Sequence, residues 1–350
     1  MSQVSMRNGT TTVPVGKKSR NFPNRRIVIE LTKPNGEKFV INQKGDLCAV
    51  SVRIKRNYGG IDPQAQIAVC NIPQEIMAKF MTQYYAPENP DTIAVYAGYE
   101  GMEERMGMMV TQLPLIFYGT ILWAIPTTGR PDIWFQMTCN ENFWQITHPV
   151  MASTFQGNED DIESVPMTPI EIVNQINDSL GREEIGGQKF LPLQSFTVDT
   201  SKLDLFREKF PEEAEPYYKK YDNYAFVGTL GAFLNQELGR FNQMSANIQN
   251  GQLKLCPNSA HLSKLITKVE PQYTISAAEN NMIGVPYPNP TGVNLTTLFN
   301  PRMSPLDTFR LDSHYYTSFN MKYWIQTIEY HLETRGQAFY NHIIARRAEA

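Results

Sequence analysis

The chain has 350 residues, with 32 Lys+Arg against 35 Asp+Glu and a formal net charge of −3. That length is too great for one ordinary β domain and suggests two or three, while the near balance of charge excludes a globally basic nucleic-acid protein and shows no acidic tail. Hydrophobic residues, at 41%, suffice for real cores; charged residues reach only 19%, and a surface poor in charge but rich in amides, Tyr and Met is what protein–protein contact leaves behind.

The four cysteines, Cys48, Cys70, Cys139 and Cys256, are too sparse for a disulfide scaffold. Three of them sit in alternating apolar runs, as buried free thiols do. The opening MSQVSMRNGTTTVPVGKKS has no apolar h-region, so no signal peptide is expected. The longest apolar stretch, 113–126, contains Pro114, Gly119 and Thr120 and falls short of a membrane span. These features predict a soluble protein made in a reducing cytoplasm, with no membrane anchor.

Residues 1–25 read as an extended basic arm. Arg7, Lys17, Lys18, Arg20, Arg25 and Arg26 stand in a stretch without one acid, and the segment cannot bury a core alone. These six are the candidate partner-contact residues, for a neighbouring subunit or a tape-measure protein. From 26 to 147 the pattern is β. RIVIEL and EKFVIN flank a Lys33-Pro34-Asn35-Gly36 turn; LCAVSVRI, QAQIAVC, TIAVYAG, LIFYGTILWAI and DIWFQMTC follow as strands. Pro73 opens a short helix with Ile76, Met77, Phe80 and Met81 as its apolar stripe. Seven short strands with a helical plug predict a closed or nearly closed barrel.

Residues 148–165 are a linker by composition, opening a middle module that runs to 256. Thr168-Pro169-Ile170-Glu171 is a capping box with proline at the first helical position, followed by Ile172, Val173, Ile176 and Leu180 at helical spacing. Between Lys202 and Tyr221, Pro211 and Pro216 are expected to break a continuous helix. Thr229 caps another helix facing a core with Leu230, Phe233, Leu234, Leu238 and Phe241. Next, Asn250-Gly251 suits the type I′ turn of a hairpin. From 257 to 350 β signals return: QYTIS, VNLTTLF, DTFRL, YWIQTIEYHL and AFYNHIIA, the last two joined through Gly336. The predicted fold is mainly β, with two barrel-sized β domains flanking a helix-containing α+β insert.

Chemistry is sparse. His148, His261, His314, His331 and His342 lack the spacing of a zinc helix, although His331 and His342, on the two arms of the last hairpin, could face each other. Gly9 to Lys18 has the wrong spacing for a phosphate loop, and neither a dinucleotide fingerprint nor G-x-S-x-G occurs. Glu159, Asp160, Asp161 and Glu163 could supply paired carboxylates for a hydrolase, but adjacent acids in a linker read as a solvated loop. The doublets Tyr84-Tyr85, Tyr217-Tyr218 and Tyr315-Tyr316 could stack on sugars, though half-core placement is the commoner fate. No catalytic residue, metal or cofactor is predicted.

In order, Gln66-Ile67-Ala68-Val69-Cys70-Asn71-Ile72-Pro73, Val95-Tyr96-Ala97-Gly98-Tyr99 and Ile116-Phe117-Tyr118-Gly119-Thr120-Ile121 resemble the first tube-like domain of baseplate hub proteins from tailed bacteriophages, of the Mu-like, contractile-tail type. Tyr224-Ala225-Phe226-Val227-Gly228-Thr229-Leu230 and Asn250-Gly251-Gln252-Leu253-Lys254-Leu255 resemble that family's middle module. Met282-Ile283-Gly284-Val285-Pro286, Leu298-Phe299-Asn300-Pro301-Arg302 and the hairpin from Ile328 to Gly336 resemble its last β domain. The arm and the segment 202–221 lie outside the pattern.

The resemblance implies a structural virion protein without turnover. It implies a homotrimer whose six tube-like barrel domains match a sixfold tail tube to a threefold central spike around a DNA channel. DNA would pass through this lumen without specific binding, helped by an acidic lining. Expected partners are further copies of the chain, the tail tube protein and the central spike protein, with the tape-measure and baseplate wedge proteins as further candidates. A tail-associated cell-wall hydrolase and a carbohydrate-binding tail component are the competing readings. Gly119 and Gly336 are expected to matter for backbone geometry.

Overall fold

The structure, a computed structural model, describes residues 6–7, 10–15, 18–23, 25–42, 47–81, 90–99, 113–129, 132–156, 163–185, 187–189, 193–240, 244–276 and 281–349. The first β block contains β1 (Arg25–Thr32), β2 (Lys38–Ile41), β3 (Val50–Asn57), β4 (Gln64–Cys70), helix α1 (Gln74–Phe80), β5 (Thr92–Tyr99), β6 (Leu115–Gly129) and β7 (Asp132–Asn140). Alternation decides these strands. In β3, Val50, Val52, Ile54 and Arg56 point inward while Arg53, Lys55 and Asn57 are exposed. The predicted β1–β2 turn is present, with Gly36 at φ 85° and its N–H donating to the Lys33 carbonyl at 2.9 Å. Helix α1 buries Met77 and Phe80, as its spacing requires; Met81 lies beyond it and is exposed.

The middle module contains β8 (Pro149–Ser153), α2 (Pro169–Ser179), α3 (Ser201–Lys209), α4 (Pro211–Tyr218), β9 (Ala225–Thr229), α5 (Leu230–Ala232, a π turn Phe233–Glu237, then Leu238–Arg240), β10 (Ser245–Gln249), β11 (Gln252–Cys256) and α6 (Ser259–Thr267). The capping box is realised in full: the Thr168 N–H donates to Glu171 Oε2 at 2.7 Å, and the Glu171 N–H donates to Thr168 Oγ1 at 3.3 Å. Asn250 and Gly251 take φ of 50° and 76°, the left-handed pair a type I′ turn needs.

Three expectations need correction. Part of the compositional linker is strand β8, paired with β9 through the module's core. Pro211 starts α4 as expected, but Pro216 sits inside that helix without ending it. The module also runs past residue 256, because α6, capped by the Asn258 side chain, adds Leu262, Leu265 and Ile266 to its core. Phe241 lies outside the described residues.

The last block contains β12 (Tyr273–Ser276), β13 (Met282–Asn289), β14 (Gly292–Leu298), β15 (Thr308–Asp312), β16 (Lys322–Glu333) and β17 (Phe339–Arg347). It is continuous with the first. A 13-stranded sheet runs β13-β14-β17-β16-β3-β4-β7-β6-β5-β1-β2, with β15 paired to β16 and β12 parallel to β15. The seam is the antiparallel pairing of β3 with β16, from Asn57↔Thr327 to Ser51↔Glu333. One hydrophobic core serves both blocks, joining Ile27, Val52, Ile67 and Phe135 to Phe309, Tyr330 and Phe339. The chain is therefore mainly β with an α+β insert. Among the described residues the sheet is an open path from β13 to β2, and no barrel closes. The basic arm has strand pairing of its own, Thr10–Val15 against Lys18–Pro23 and against Met6–Arg7.

Candidate assembly surface

The middle module is fastened to the seam by buried polar contacts. Arg56 shares the inward parity of Val50, Val52 and Ile54, so its guanidinium is buried; Nη2 lies 3.0 Å from Glu141 Oε2 and donates to Asn250 Oδ1 at 3.2 Å. Glu141 also accepts the Asn250 N–H. Burial opposes the charge on Arg56, but Glu141 and Tyr330 outweigh it, and its pKa lies above the ordinary value. Around this pair, Tyr58 donates to the Pro257 carbonyl at 2.8 Å, Asn247 Nδ2 to the Asn57 carbonyl at 2.7 Å, and Trp324 Nε1 to Ser263 Oγ at 3.0 Å. Ile61, Leu306 and Trp324 project from the β blocks into the module's own core.

Directly paired residues point to the same side of a sheet, so the registers define rows on the face turned away from the core. One row crosses eleven strands: Lys38, Thr32, Thr92, Thr120, Asn140, Gln64, Lys55, Glu329, His342, Thr296 and Ile283. A second runs Trp123, Thr138, Gln66, Arg53, His331, Tyr340 and Leu298. Near the seam this face mixes amides and hydroxyls with charged side chains, of which Arg53 and Glu329 form a pair. Arg53 Nε lies 3.3 Å from Glu329 Oε1, and His331 Nε2 lies 3.7 Å from Glu333 Oε1. Ser51, Arg53, Gln66, Ala68, Gln136 and Thr138 line a shallow depression of about 310 Å³ there.

The flanks of the same face carry exposed apolar residues among polar ones. On β1, β2, β5 and β6 the rows Leu115–Tyr96–Val28 and Tyr118–Ala94–Glu30–Val40 replace the expected polar alternation, with Trp123 beside them. Tyr118 and Trp123 are 51% and 55% exposed. The near-continuous apolar run LIFYGTILWAI is the sequence signal of a strand meant to be covered on both faces. At the opposite end Ile283, Val285, Tyr287 and Ile344 are exposed on β13 and β17.

The expected partner-contact residues are divided by the structure. Arg7, Lys18 and Arg20 lie on the arm's strands, and Lys17 lies outside the described residues. Arg25 is engaged within the chain: its Nη1 donates to the Gly336 and Gln337 carbonyls at 3.1 and 3.3 Å, with the guanidinium 5.4 Å from the Phe339 ring centroid. Arg26 donates to the Asn42 carbonyl at 3.3 Å. Gly119 is required, since a Cβ there would fall on the Asn140 carbonyl, whereas one at Gly336 would meet the Glu333 side chain, chiefly its carboxyl.

His331 and His342 do not face each other. His331 is opposite Tyr340 and His342 opposite Glu329, a diagonal relation. The His331 Nδ1 lies 3.0 Å from Tyr340 Oη, and the His342 Nδ1 lies 2.8 Å from Thr296 Oγ1. Burial, then Arg53, pushes the His331 pKa down. Cys70, Cys139 and Cys256 are buried free thiols and Cys48 is half-buried. Glu159, Asp160, Asp161, Tyr84 and Tyr85 lie outside the described residues, and Glu163 is exposed. Tyr217 is core, Tyr218 donates to Asp204 Oδ1 at 2.9 Å, and Tyr315 and Tyr316 are displayed to solvent. Among the described residues no group of three His, Cys, Asp or Glu could hold a metal, and no helix is long and apolar enough to cross a membrane.

Residues 219–345 match the family model described as baseplate hub gp41. The match spans just over a third of the chain, from the end of α4 to β17. The fold extends the likeness. A tail protein from Neisseria meningitidis MC58 superposes with a TM-score of 0.52 at 7% identity, over 92% of this chain and 96% of that one. The 43 kDa tail protein of prophage MuSo2 from Shewanella oneidensis gives 0.53 at 8%, over 92% and 98%. A chain of the lidded Francisella PdpA–VgrG complex gives 0.51 at 8%, over 93% of this chain and 53% of that one. No curated protein matches the sequence. The resemblance to baseplate hubs stands: residues 219–345 match that family's model, and the fold as a whole is similar to that of phage tail proteins.

Proposed function

We propose that this chain is the structural hub subunit of a phage baseplate, acting as a homotrimer that adapts a sixfold tail tube to a threefold central spike and encloses the DNA channel. One observation supports this above all. The two β blocks are joined edge to edge through the β3–β16 seam over one core, so each chain offers two neighbouring β units. Three chains then offer six. The amides near the seam and the Arg53–Glu329 pair suit a wall past which DNA slides, because a strongly basic lining would bind phosphate. The tail tube and central spike proteins are the partners above and below. A neighbouring subunit or the tape-measure protein is the candidate contact for the basic residues Arg7, Lys17, Lys18 and Arg20, and baseplate wedge proteins are further candidate partners.

Sedimentation of the purified chain, together with electron-microscopic views down the particle axis, tests the reading. A particle of three copies with six similar lobes around a central hole is expected; a monomer at micromolar concentration, or another copy number, overturns it. Zymography on cell-wall substrate separates the hub from a hydrolase, and a cleared band abolished by Asp160→Ala would refute a purely structural role.

A further inference from the structure

Asn-Gly is the dipeptide most open to spontaneous deamidation, because glycine, lacking a Cβ, leaves its backbone nitrogen free to attack the preceding side-chain amide. The chain has three such dipeptides, Asn8-Gly9, Asn35-Gly36 and Asn250-Gly251, of which the first lies outside the described residues. The other two stand in exposed hairpin turns, β1–β2 and β10–β11, so access of water does not separate them. Their side-chain amides are held in opposite ways.

Asn35 Oδ1 accepts the Glu37 N–H at 3.0 Å. This Asx turn directs the side chain toward its carboxyl side, where the Gly36 nitrogen stands. The Gly36 N–H donates to the Lys33 carbonyl at 2.9 Å, a bond in an exposed turn that opens locally without unfolding the chain. Asn250 is turned back. Its Oδ1 accepts from Arg56 Nη2 at 3.2 Å, that nitrogen lies 3.0 Å from Glu141 Oε2, and Glu141 Oε1 accepts the N–H of Asn250 itself. The ring so closed holds the amide on its amino side, away from the Gly251 nitrogen, and both of its charged members are buried. Beyond it, the Gly251 carbonyl accepts the Thr197 N–H at 3.0 Å, and Gln249 pairs with Gln252.

We propose that Asn35 is a site of spontaneous deamidation in the folded chain, and that Asn250 is a latent one held shut by Arg56 and Glu141. The Gly36 nitrogen attacks Asn35 Cγ. A new C–N bond forms, the Cγ–Nδ2 bond breaks, and Nδ2 leaves as ammonia with the proton given up by Gly36. Water then opens the cyclic imide, to aspartate if it breaks the new bond and to isoaspartate if it breaks the original peptide bond. The net change consumes a water and releases an ammonia. Isoaspartate inserts an extra carbon into the main chain of the turn that sets the β1–β2 register. Either product adds a negative charge beside Glu37, whose carboxylate lies 2.7 Å from Lys79 Nζ. Because β2 ends the sheet, no further strand holds this register in place. The inference goes beyond the hub reading and does not depend on it.

Peptide mapping by mass spectrometry on the full chain, incubated in mildly alkaline buffer and sampled over time, tests it, with the same chain in urea as reference. Labelling by an isoaspartyl methyltransferase identifies the isomer. In urea the two sites should react at similar rates. In the folded wild type Asn250 should react at least about tenfold more slowly than Asn35, the factor that a hydrogen bond to a charged group supplies. Arg56→Met with Glu141→Leu keeps the space filled and removes the ring. Asn250 in that variant, shown to be folded by circular dichroism, should rise toward the Asn35 rate while Asn35 is unchanged. Absence of product at Asn35 in the folded wild type overturns the assignment, and so does reaction of Asn250 at the Asn35 rate. A folded double variant whose Asn250 stays slow overturns the latent site, since the hairpin alone then protects it.

Discussion

Replacing Glu141 by Ala leaves the Arg56 guanidinium buried without its carboxylate, and leaves the Asn250 N–H without its acceptor. The side chains of Arg56 and Glu141 are only 3% and 1% exposed, so solvent cannot compensate. Breaking such a pair from one side costs about 3–5 kcal/mol. For a chain of this size, with an unfolding entropy of about 2.1 cal/mol/K per residue, that corresponds to a fall in Tm of roughly 4–7 °C. The double change Arg56→Met with Glu141→Leu removes both charges and fills the space, and should recover most of the loss; about 1 kcal/mol remains for the unpaired Asn250 N–H. Urea unfolding followed by tryptophan fluorescence measures this at a useful place, because Trp324 stands where the middle module meets the sheet. The argument fails if Glu141→Ala costs under about 1 kcal/mol, or if the double variant is as unstable as the sum of the single ones.

Burial pushes His148, His261 and His331 below the ordinary histidine pKa, so the folded chain binds fewer protons there than the unfolded one. Stability contributed by their neutral forms is present above about pH 6.5 and is lost as pH falls through the folded values. Tm should drop between pH 7.5 and 5.5, and a flat or rising curve refutes this. Burial raises Asp307 instead, while Ser304 donates to it from both its N–H and its hydroxyl. Asp307→Asn should therefore raise Tm at pH 7, with the gain shrinking as pH falls through the folded pKa toward the usual carboxylate range; a lower Tm at pH 7 contradicts the sign. Gly119→Ala puts a methyl against the Asn140 carbonyl, backbone against backbone, and should cost about 1–3 kcal/mol in urea. A neutral result would mean that the β6 bulge relaxes freely.

Local signals account for what the sequence disclosed. The capping box at Thr168, the Asn250-Gly251 turn and the alternation of β3, β4 and β7 each specify their own few residues. Helix α6 was hidden because Pro257 and the β signals after it suggested a return to strand, although Asn258 and the spacing of Leu262, Leu265 and Ile266 were present. The seam has no local signature, since nothing near Ser51–Asn57 announces Thr327–Glu333. The buried charge was legible in principle: Arg56 falls on the inward parity of its strand, and a charged residue at such a position demands a partner. The exposed apolar flank was half legible, as an apolar run in β6 too continuous for one buried face, whereas β13, which contains Pro286 and Pro288, was not among the β signals.

The β3–β16 seam also constrains how the molecule comes into being. The two strands stand about 270–280 positions apart, so the flank of β3 waits open while nearly all the remaining chain is made. At about 5–20 residues per second that delay is roughly 15–55 s. Throughout it the nascent first block presents an unpaired strand edge to its neighbours on the same polysome. Slow, crowded production should therefore favour mispairing between unfinished chains, and a holdase acting on the amino-terminal block before release should improve the yield.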